Sequence, residues 1–374
     1  MGAYLRYFGT HLLVAAAVTG LLAGGPWSWG GLAAGVVFWI GGDALSRVVA
    51  PRPPAYAHPA LLDAALYSLL PAVVALTLVY AWSLADTDLL GLGAACHIVS
   101  GFDCLAARSA GDALDRLGGA WSFALAIAMA GILTAHELVH RTRDPLALAV
   151  GRWMLAMAFN SSLEVAHVQG HHREVGTPAD PATARRGENI YHFYVRSSLG
   201  QVAQAWRIER ARLAGRGAFI RLADNRVLRG ALRAAAVAGG FLWAGGLAAL
   251  GWFLLASAFN KLLLEALNYM EHYGLVRETG APIEPRHAWD SLSAFSHAAL
   301  FNLPWHADHH SRAGVPYPEL GASEAAPRLP LGYLATLPIV LVPPLWFRHI
   351  APPLAAWDRD LASPAERALG AVRA

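Results

Sequence analysis

The sequence predicts an all-α integral membrane protein of about six transmembrane helices, with a histidine-rich metal centre capping one face. Three observations carry this reading. The 374 residues are 56% hydrophobic and only 15% charged, with a mean hydropathy of +0.38, whereas an ordinary soluble domain carries roughly 25% charged residues. The apolar residues come in runs near the roughly 20 residues that a bilayer crossing needs. Nine of the sixteen histidines fall in four short clusters beside or between those runs: His136 and His140; His167, His171 and His172; His272; and His306, His309 and His310.

The first span runs from about Gly9 to Gly25 and the second from about Gly30 to Leu45, with Gly25-Pro26-Trp27 as the turn between them. An uncleaved span fits the amino terminus better than a signal peptide, because a second apolar stretch follows at once. Arg47, Arg52, Pro51, Pro53 and Pro54 make a basic break before the third span, about Pro59 to Trp82. Leu89 to Ser100 is too short to cross and reads as a re-entrant or surface segment. The fourth span, about Gly118 to Ala135, delivers His136 and His140 at its end. Ala147 to Phe159 is short and interrupted by Arg152, so it is expected in the interface. A polar, arginine-rich stretch follows from Arg173 to Arg233. Ala234 to Leu267 is too long for one crossing and fits a hairpin of two spans turning near Gly251. Pro338, Pro343 and Pro344 interrupt the last apolar stretch, Leu331 to Ile350, which favours the interface over a regular crossing.

This count puts both termini and all four histidine clusters on one side. Arg6, Arg47, Arg52, Arg141 and Arg143 fall on that side, which the positive-inside rule makes the cytoplasm. Thirteen tryptophans and eleven tyrosines suit an interfacial belt. The net charge of +3 gives no reason to expect nucleic acid. Two cysteines, Cys96 and Cys104, cannot build an iron–sulfur cluster, which takes four ligands. Electrons for any redox chemistry must come from another protein or cofactor. No repeat or linker divides the chain, so residues 1–374 read as one unit.

His136 and His140 stand one helical turn apart and share a face. His-Glu-x-x-His is also the signature of zinc proteases, with the glutamate as general base. Such a site needs only three protein ligands, which leaves the other clusters without a task. His167 and His171 repeat the i, i+4 spacing, while His172 points about 100° away on an α-helix. His306, His309 and His310 offer i, i+3 and i, i+4 partners. Two adjacent His-His pairs suit two ions better than one. Imidazole suits iron, copper, zinc or nickel. Glu137, Glu271 and Asp308 adjoin these histidines and could orient their N–H groups, bind metal themselves, or simply be solvated charges. His192 and His297 read as non-ligands.

In combination these residues resemble the membrane non-haem di-iron hydrocarbon monooxygenases, of alkane 1-monooxygenase and xylene monooxygenase type, relatives of the fatty acid desaturases. The resemblance runs from about His136 to Trp357. It rests on His136-Glu137-Leu138-x-His140, His171-His172-Arg173, Thr177-Pro178-x-Asp180-Pro181-Ala182, Asn268-Tyr269-x-Glu271-His272-Tyr273-Gly274-Leu275, His287-x-Trp289, His306-x-Asp308-His309-His310 and Pro343-Pro344-Leu345-Trp346. It implies a desaturase-like core over about 118–350 and two iron ions held mainly by the nine histidines. It also implies dioxygen as cosubstrate and electrons from rubredoxin or a ferredoxin-type reductase. The reaction implied is insertion of one oxygen atom into a terminal methyl C–H bond of a hydrocarbon that arrives from membrane lipid. The bacterial inner membrane, with the site facing the cytoplasm, is the setting it implies. An alkyl-aromatic methyl is the alternative substrate, followed by desaturation and zinc proteolysis. No catalytic side chain beyond the metal ligands is expected.

Overall fold

Long apolar helices dominate the computed structural model, which describes residues 2–48 and 55–372; the proline-rich break with Pro51, Arg52, Pro53 and Pro54 lies outside them. Four helices are long and apolar enough to cross a membrane: Arg6–Ala23, Pro59–Ser83, Ala113–His140 and Arg226–His272. Together with the family match reported below, they make the chain an integral membrane protein. No strand forms among the described residues, which contain only the isolated bridges Val48–Ser293 and Asp290–Arg328.

The expected turn after the first span is present. Gly24 and Gly25 adopt φ of 66° and 50°, a region that costs a side chain little only when there is none. A Cβ on Gly24 would also lie 3.0 Å from the backbone of Ala107. Residues 30–44 then form a shorter helix with a π-helical segment at Gly35–Ile40. Asp112 caps the Ala113–His140 helix, its side chain accepting from the Leu114 and Asp115 N–H groups. Leu89–Ser100 bends by 119° into Cys104–Ala110, the geometry of a broken span or a re-entrant segment. A disulfide joins Cys96 to Cys104, and Arg108 donates to the carbonyls of Trp82 and Thr87 (both 3.0 Å). This bent pair caps the end of the bundle away from the histidines.

The 47-residue Arg226–His272 element doubles back, six residues earlier than expected. Its helical backbone breaks at Gly245 and Gly246, where Gly246 takes φ 63°. Gly245 presses so closely on the Leu84 carbonyl that a Cβ would lie 2.1 Å from it. Twelve residues of straight helix would be about 18 Å long, yet the Phe241 and Phe253 rings stack 4.2 Å apart. The expected hairpin therefore exists, but close packing against the neighbouring span selects the Gly-Gly pair over Gly251.

The basic stretch, polar in sequence, contains a 23-residue helix, Ile190–Arg212, lying along the second arm of that hairpin. Gln201 on it donates to Glu265 (2.7 Å). Carboxy-terminal to the last histidines, Tyr333–Val340 packs into the bundle, and Pro343–Asp360 and Pro364–Val372 close the chain.

Candidate metal centre

All nine clustered histidines meet at one end of the bundle, in two groups. His136, His140, His167, His172 and His309 form one; His171, His272, His306 and His310 form the other. Within each group one ring nitrogen per residue lies within 4.8 Å of all the others. Several approach closer. His136 and His167 have Nε2 atoms 2.7 Å apart, and His167 and His172 3.0 Å. His272 and His306 are 3.0 Å apart, and His306 and His310 3.1 Å. An ion with imidazole at about 2.0–2.1 Å would set its ligands roughly 3.0–3.4 Å apart; three of these separations fit one ion per group, and the His136–His167 pair would open by a few tenths of an ångström around one.

The adjacent pairs divide between the groups, His171 from His172 and His309 from His310. Local backbone explains how. Ala166–His171 is π-helical, so His167 meets His172 five residues on, not His171 four residues on as an α-helical register would have it. A π turn inside a helix is a frequent mark of a functional site. On His306–Ser311 the i, i+4 pair His306 and His310 shares one group while His309 faces the other.

Hydrogen bonding fixes which nitrogen two of the rings offer. Asp180 accepts from Thr183 (2.7 Å) and from the Ala182 N–H (3.0 Å), and lies 2.8 Å from His171 Nδ1. Nδ1 therefore carries the proton, and the buried, unpartnered Nε2 is left with its lone pair inward. His272 likewise donates from Nδ1 to the carbonyl of His287 (3.2 Å). Burial would raise the Asp180 carboxyl, but His171, Thr183 and the Ala182 N–H outweigh it and hold it below the usual carboxylate range. Burial, and then the neighbouring imidazoles, keep His167, His172, His306, His309 and His310 neutral well below their ordinary range. Neutral imidazole is the ligating form.

The three acidic neighbours have different surroundings. Glu271 sits 3.4 Å from His306 Nε2, and its other oxygen is buried without a partner. Such an orphan costs about 1–3 kcal/mol or more, so a cation beside it is the natural complement. Glu137 accepts from Arg141 (3.2 Å), which also donates to Asp63 (2.7 Å). Asp308 pairs with Arg312 and accepts from the Gly321 N–H (2.9 Å). Neither Glu137 nor Asp308 has an imidazole among its hydrogen-bond partners. His192 bonds to Glu188, and His297 to the Ser291 carbonyl, away from both groups.

Sequence reasoning missed Asp180 as a histidine partner. It lies nine residues from His171, a spacing with no helical meaning, although the Thr177–Ala182 segment pointed to its neighbourhood. It also missed the orienting carbonyl of His287.

An apolar cavity of about 210 Å³ enters the bundle between Leu32, Gly35, Trp39, Leu125, Met129 and Leu263. A second, smaller hollow shares Leu125, Met129, Leu263 and Leu337 with it and reaches Leu133 and Leu267. Those two residues precede His136 and His272 by three and five positions on the same helices. On the other side, a hollow of about 730 Å³ reaches His140, with Asp63, Glu137, Arg141 and Glu319 set among apolar residues such as Leu62, Val315 and Pro316. Apolar hollows thus lie on the bundle side of the histidine groups, and a larger one opens beside His140.

A fatty acid desaturase family model matches residues 117–349. Alkane 1-monooxygenase 1 of Pseudomonas aeruginosa is 35% identical over 249 residues, 65% of each chain. Alkane 1-monooxygenase 2 of the same organism is 33% identical over 259 residues, 68% of each chain. The hydroxylase component of a xylene/toluene monooxygenase from Pseudomonas putida is 33% identical over 237 residues, 63% of each chain. Across relatives of this kind the chain spans between 54% and 68% of their own length.

Proposed function

The chain belongs to the fatty acid desaturase family, on the side of the membrane hydrocarbon monooxygenases, and from that premise we propose that it hydroxylates a terminal methyl group of an alkane. The observation that carries the reading is the joint geometry: nine histidines in two groups, seven of them buried, in a bundle that also holds a cavity lined only by apolar residues. A hydrocarbon has no polar handle for a protein to grip, so shape and apolar lining must orient it. It also has no acidic proton, so the chemistry belongs to a bound cofactor. Two iron ions held by these histidines would supply the oxidising chemistry such a bond needs, dioxygen with two electrons and two protons giving the alcohol and water.

The nine histidines are the ligands in this reading, with Asp180 and the His287 carbonyl holding two of them in register. Glu271 is a further donor or a nearby counter-charge. The cavity walls keep the alkyl chain pointed at the histidines and keep water away from it. Electrons come from a rubredoxin or a ferredoxin-type reductase. A surface hollow of about 420 Å³ lined by Arg185 and Arg186 reaches Asp180, which offers an acidic donor a positively charged seat close to His171. The arginines Arg6, Arg47, Arg141 and Arg143 share the histidine side, and the disulfide lies at the opposite end. Disulfides persist in oxidising compartments such as the periplasm. Both features favour a bacterial inner membrane with the site facing the cytoplasm.

The xylene/toluene relative keeps an alkyl-aromatic methyl as the second substrate class. A zinc protease is disfavoured because Glu137, its required base, is engaged by Arg141. The deciding experiment feeds octane, hexadecane and xylene to cells co-expressing a rubredoxin system, alongside metal analysis of the purified chain. Terminal alcohol and about two irons per chain are expected. One zinc, no iron and no alcohol would sink the proposal.

A further inference from the structure

The carboxy-terminal helix Pro364–Val372 carries an acidic residue, Glu366, that is buried although it belongs to neither histidine group. Its Oε1 lies 2.8 Å from His287 Nε2, while Oε2 accepts from Arg286 Nε (3.1 Å) and from the Ser363 N–H (2.7 Å). The His287 ring is defined from both sides. Its Nδ1 accepts the Glu284 N–H (3.0 Å), so Nε2 carries the proton and donates to Glu366. The same residue's carbonyl receives the Nδ1–H of His272 (3.2 Å). Further contacts strap this strip of chain to the end of the span. The Trp289 N–H donates to the Glu271 carbonyl (2.9 Å), Trp289 Nε1 to the Tyr273 carbonyl (3.0 Å), and Trp357 Nε1 to the Arg286 carbonyl (2.7 Å).

We propose that Glu366 is a positioning residue for the four-histidine group: through the His287 ring it fixes the carbonyl that orients His272. His272 is the one member of that group supplied by a membrane span. His171 has a carboxylate of its own in Asp180, whereas His272 depends on a main-chain oxygen of a segment with little regular structure. A carbonyl in a loop orients a ligand only as well as the loop is held. The Trp289 and Trp357 bonds hold the neighbouring residues, and Glu366, from 79 residues away in sequence, holds the His287 side chain itself. An outer hydrogen bond of this kind fixes the ring's tautomer and raises its basicity as a ligand. The inference rests on the reading of the four-histidine group as a metal site.

The test compares wild type with Glu366→Ala, Glu366→Gln, Glu366→Asp and Asp358→Ala, all full-length in nanodiscs. Asp358 pairs with Arg186 (2.7 Å) and clasps the same tail without touching His287. Iron per chain, ⁵⁷Fe Mössbauer spectra and melting temperature are measured for each. Wild type should hold two irons. Glu366→Ala should weaken one site by about tenfold, the low end for outer-shell partners of metal ligands, and should perturb one Mössbauer component while sparing the other. Glu366→Gln, which still accepts from Nε2–H, should keep both irons. Glu366→Asp keeps the charge and guards against a variant that fails to fold; its shorter reach should shift the same component at a wild-type melting temperature. Asp358→Ala should keep two irons whatever it does to stability. Two irons with unchanged spectra in both Glu366→Ala and Glu366→Asp would overturn the positioning role, as would equal iron loss in Asp358→Ala. A wild-type chain without iron would instead overturn the metal reading, and the inference with it.

Discussion

The two histidine groups are a few ångströms apart and made of the same side chain, yet they are built differently. The five-histidine group takes His136 and His140 from the end of a long span, and His140 lines the larger hollow. None of its five imidazoles is hydrogen-bonded to a carboxylate among the described residues. Each group takes three members from the same short helical segments, His167, His172 and His309 in one and His171, His306 and His310 in the other. The four-histidine group differs in what stands behind its rings: Asp180 behind His171, the His287 carbonyl behind His272, and Glu271 beside His306. Because the segments are shared, the difference between the groups lies in these outer partners and not in the elements that carry the ligands. The Asp180 carboxylate behind His171 would favour the more highly charged state of an ion bound there, so two ions held in the two groups would differ in redox behaviour.

Removing one ligand from each group tests this contrast most severely. His309→Ala and His310→Ala should each lower hydroxylation by at least about 100-fold, beyond what outer-shell changes usually cost. Each should lose iron mainly from its own group, read as different Mössbauer components. Identical residual spectra would erase the distinction. Asp180→Asn comes next. It preserves shape but removes charge, so iron affinity of the four-histidine group should fall about 10–100-fold. Glu137→Gln should change iron content less than about twofold, because Glu137 contacts Arg141 and no ligand. Equal losses in the two variants, read by metal analysis, would undo the assignment of outer support to one group alone.

Acid should reveal what the groups share. The folded metal-free chain holds His167, His172, His306, His309 and His310 neutral below their ordinary pKa of about 6.5. The unfolded chain then binds more protons as pH falls below about 6.5, so folded stability is lost in that direction. The melting temperature of metal-free protein should fall from pH 7 to pH 5, and iron loading should flatten the profile. A flat profile without metal would contradict the burial of these rings. The mildest change is in the cavity: Met129→Trp should shorten the longest alkane accepted, at about 1–3 kcal/mol of stability for overpacking. Product analysis across chain lengths checks it, and an unchanged cut-off would show that the substrate enters elsewhere.

Much of this was legible in the residues because it depends on local pattern. Apolar runs, the His-x3-His pairs and the adjacent His-His doublets carry their geometry in short spacings. What escaped depended on choices made by packing. The register of His167 follows a π turn that the α-helical period does not anticipate. The hairpin chose Gly245–Gly246 because Leu84 packs there, and composition alone favours Gly251 as well. Asp180 joins His171 through an irregular loop, and Glu366 joins His287 across 79 positions. Neither has a periodic trace.

The disulfide at the far end has a consequence for how the protein matures. Thiolates are strong competitors for iron, copper and zinc, and free Cys96 and Cys104 near the nascent site would be rival ligands during metal loading. The helical bundle separates the two chemistries in space. With an oxidising compartment at the disulfide end and a reducing one at the histidine end, as proposed above, sulfur oxidation and metal loading would proceed on one chain without either step waiting for the other.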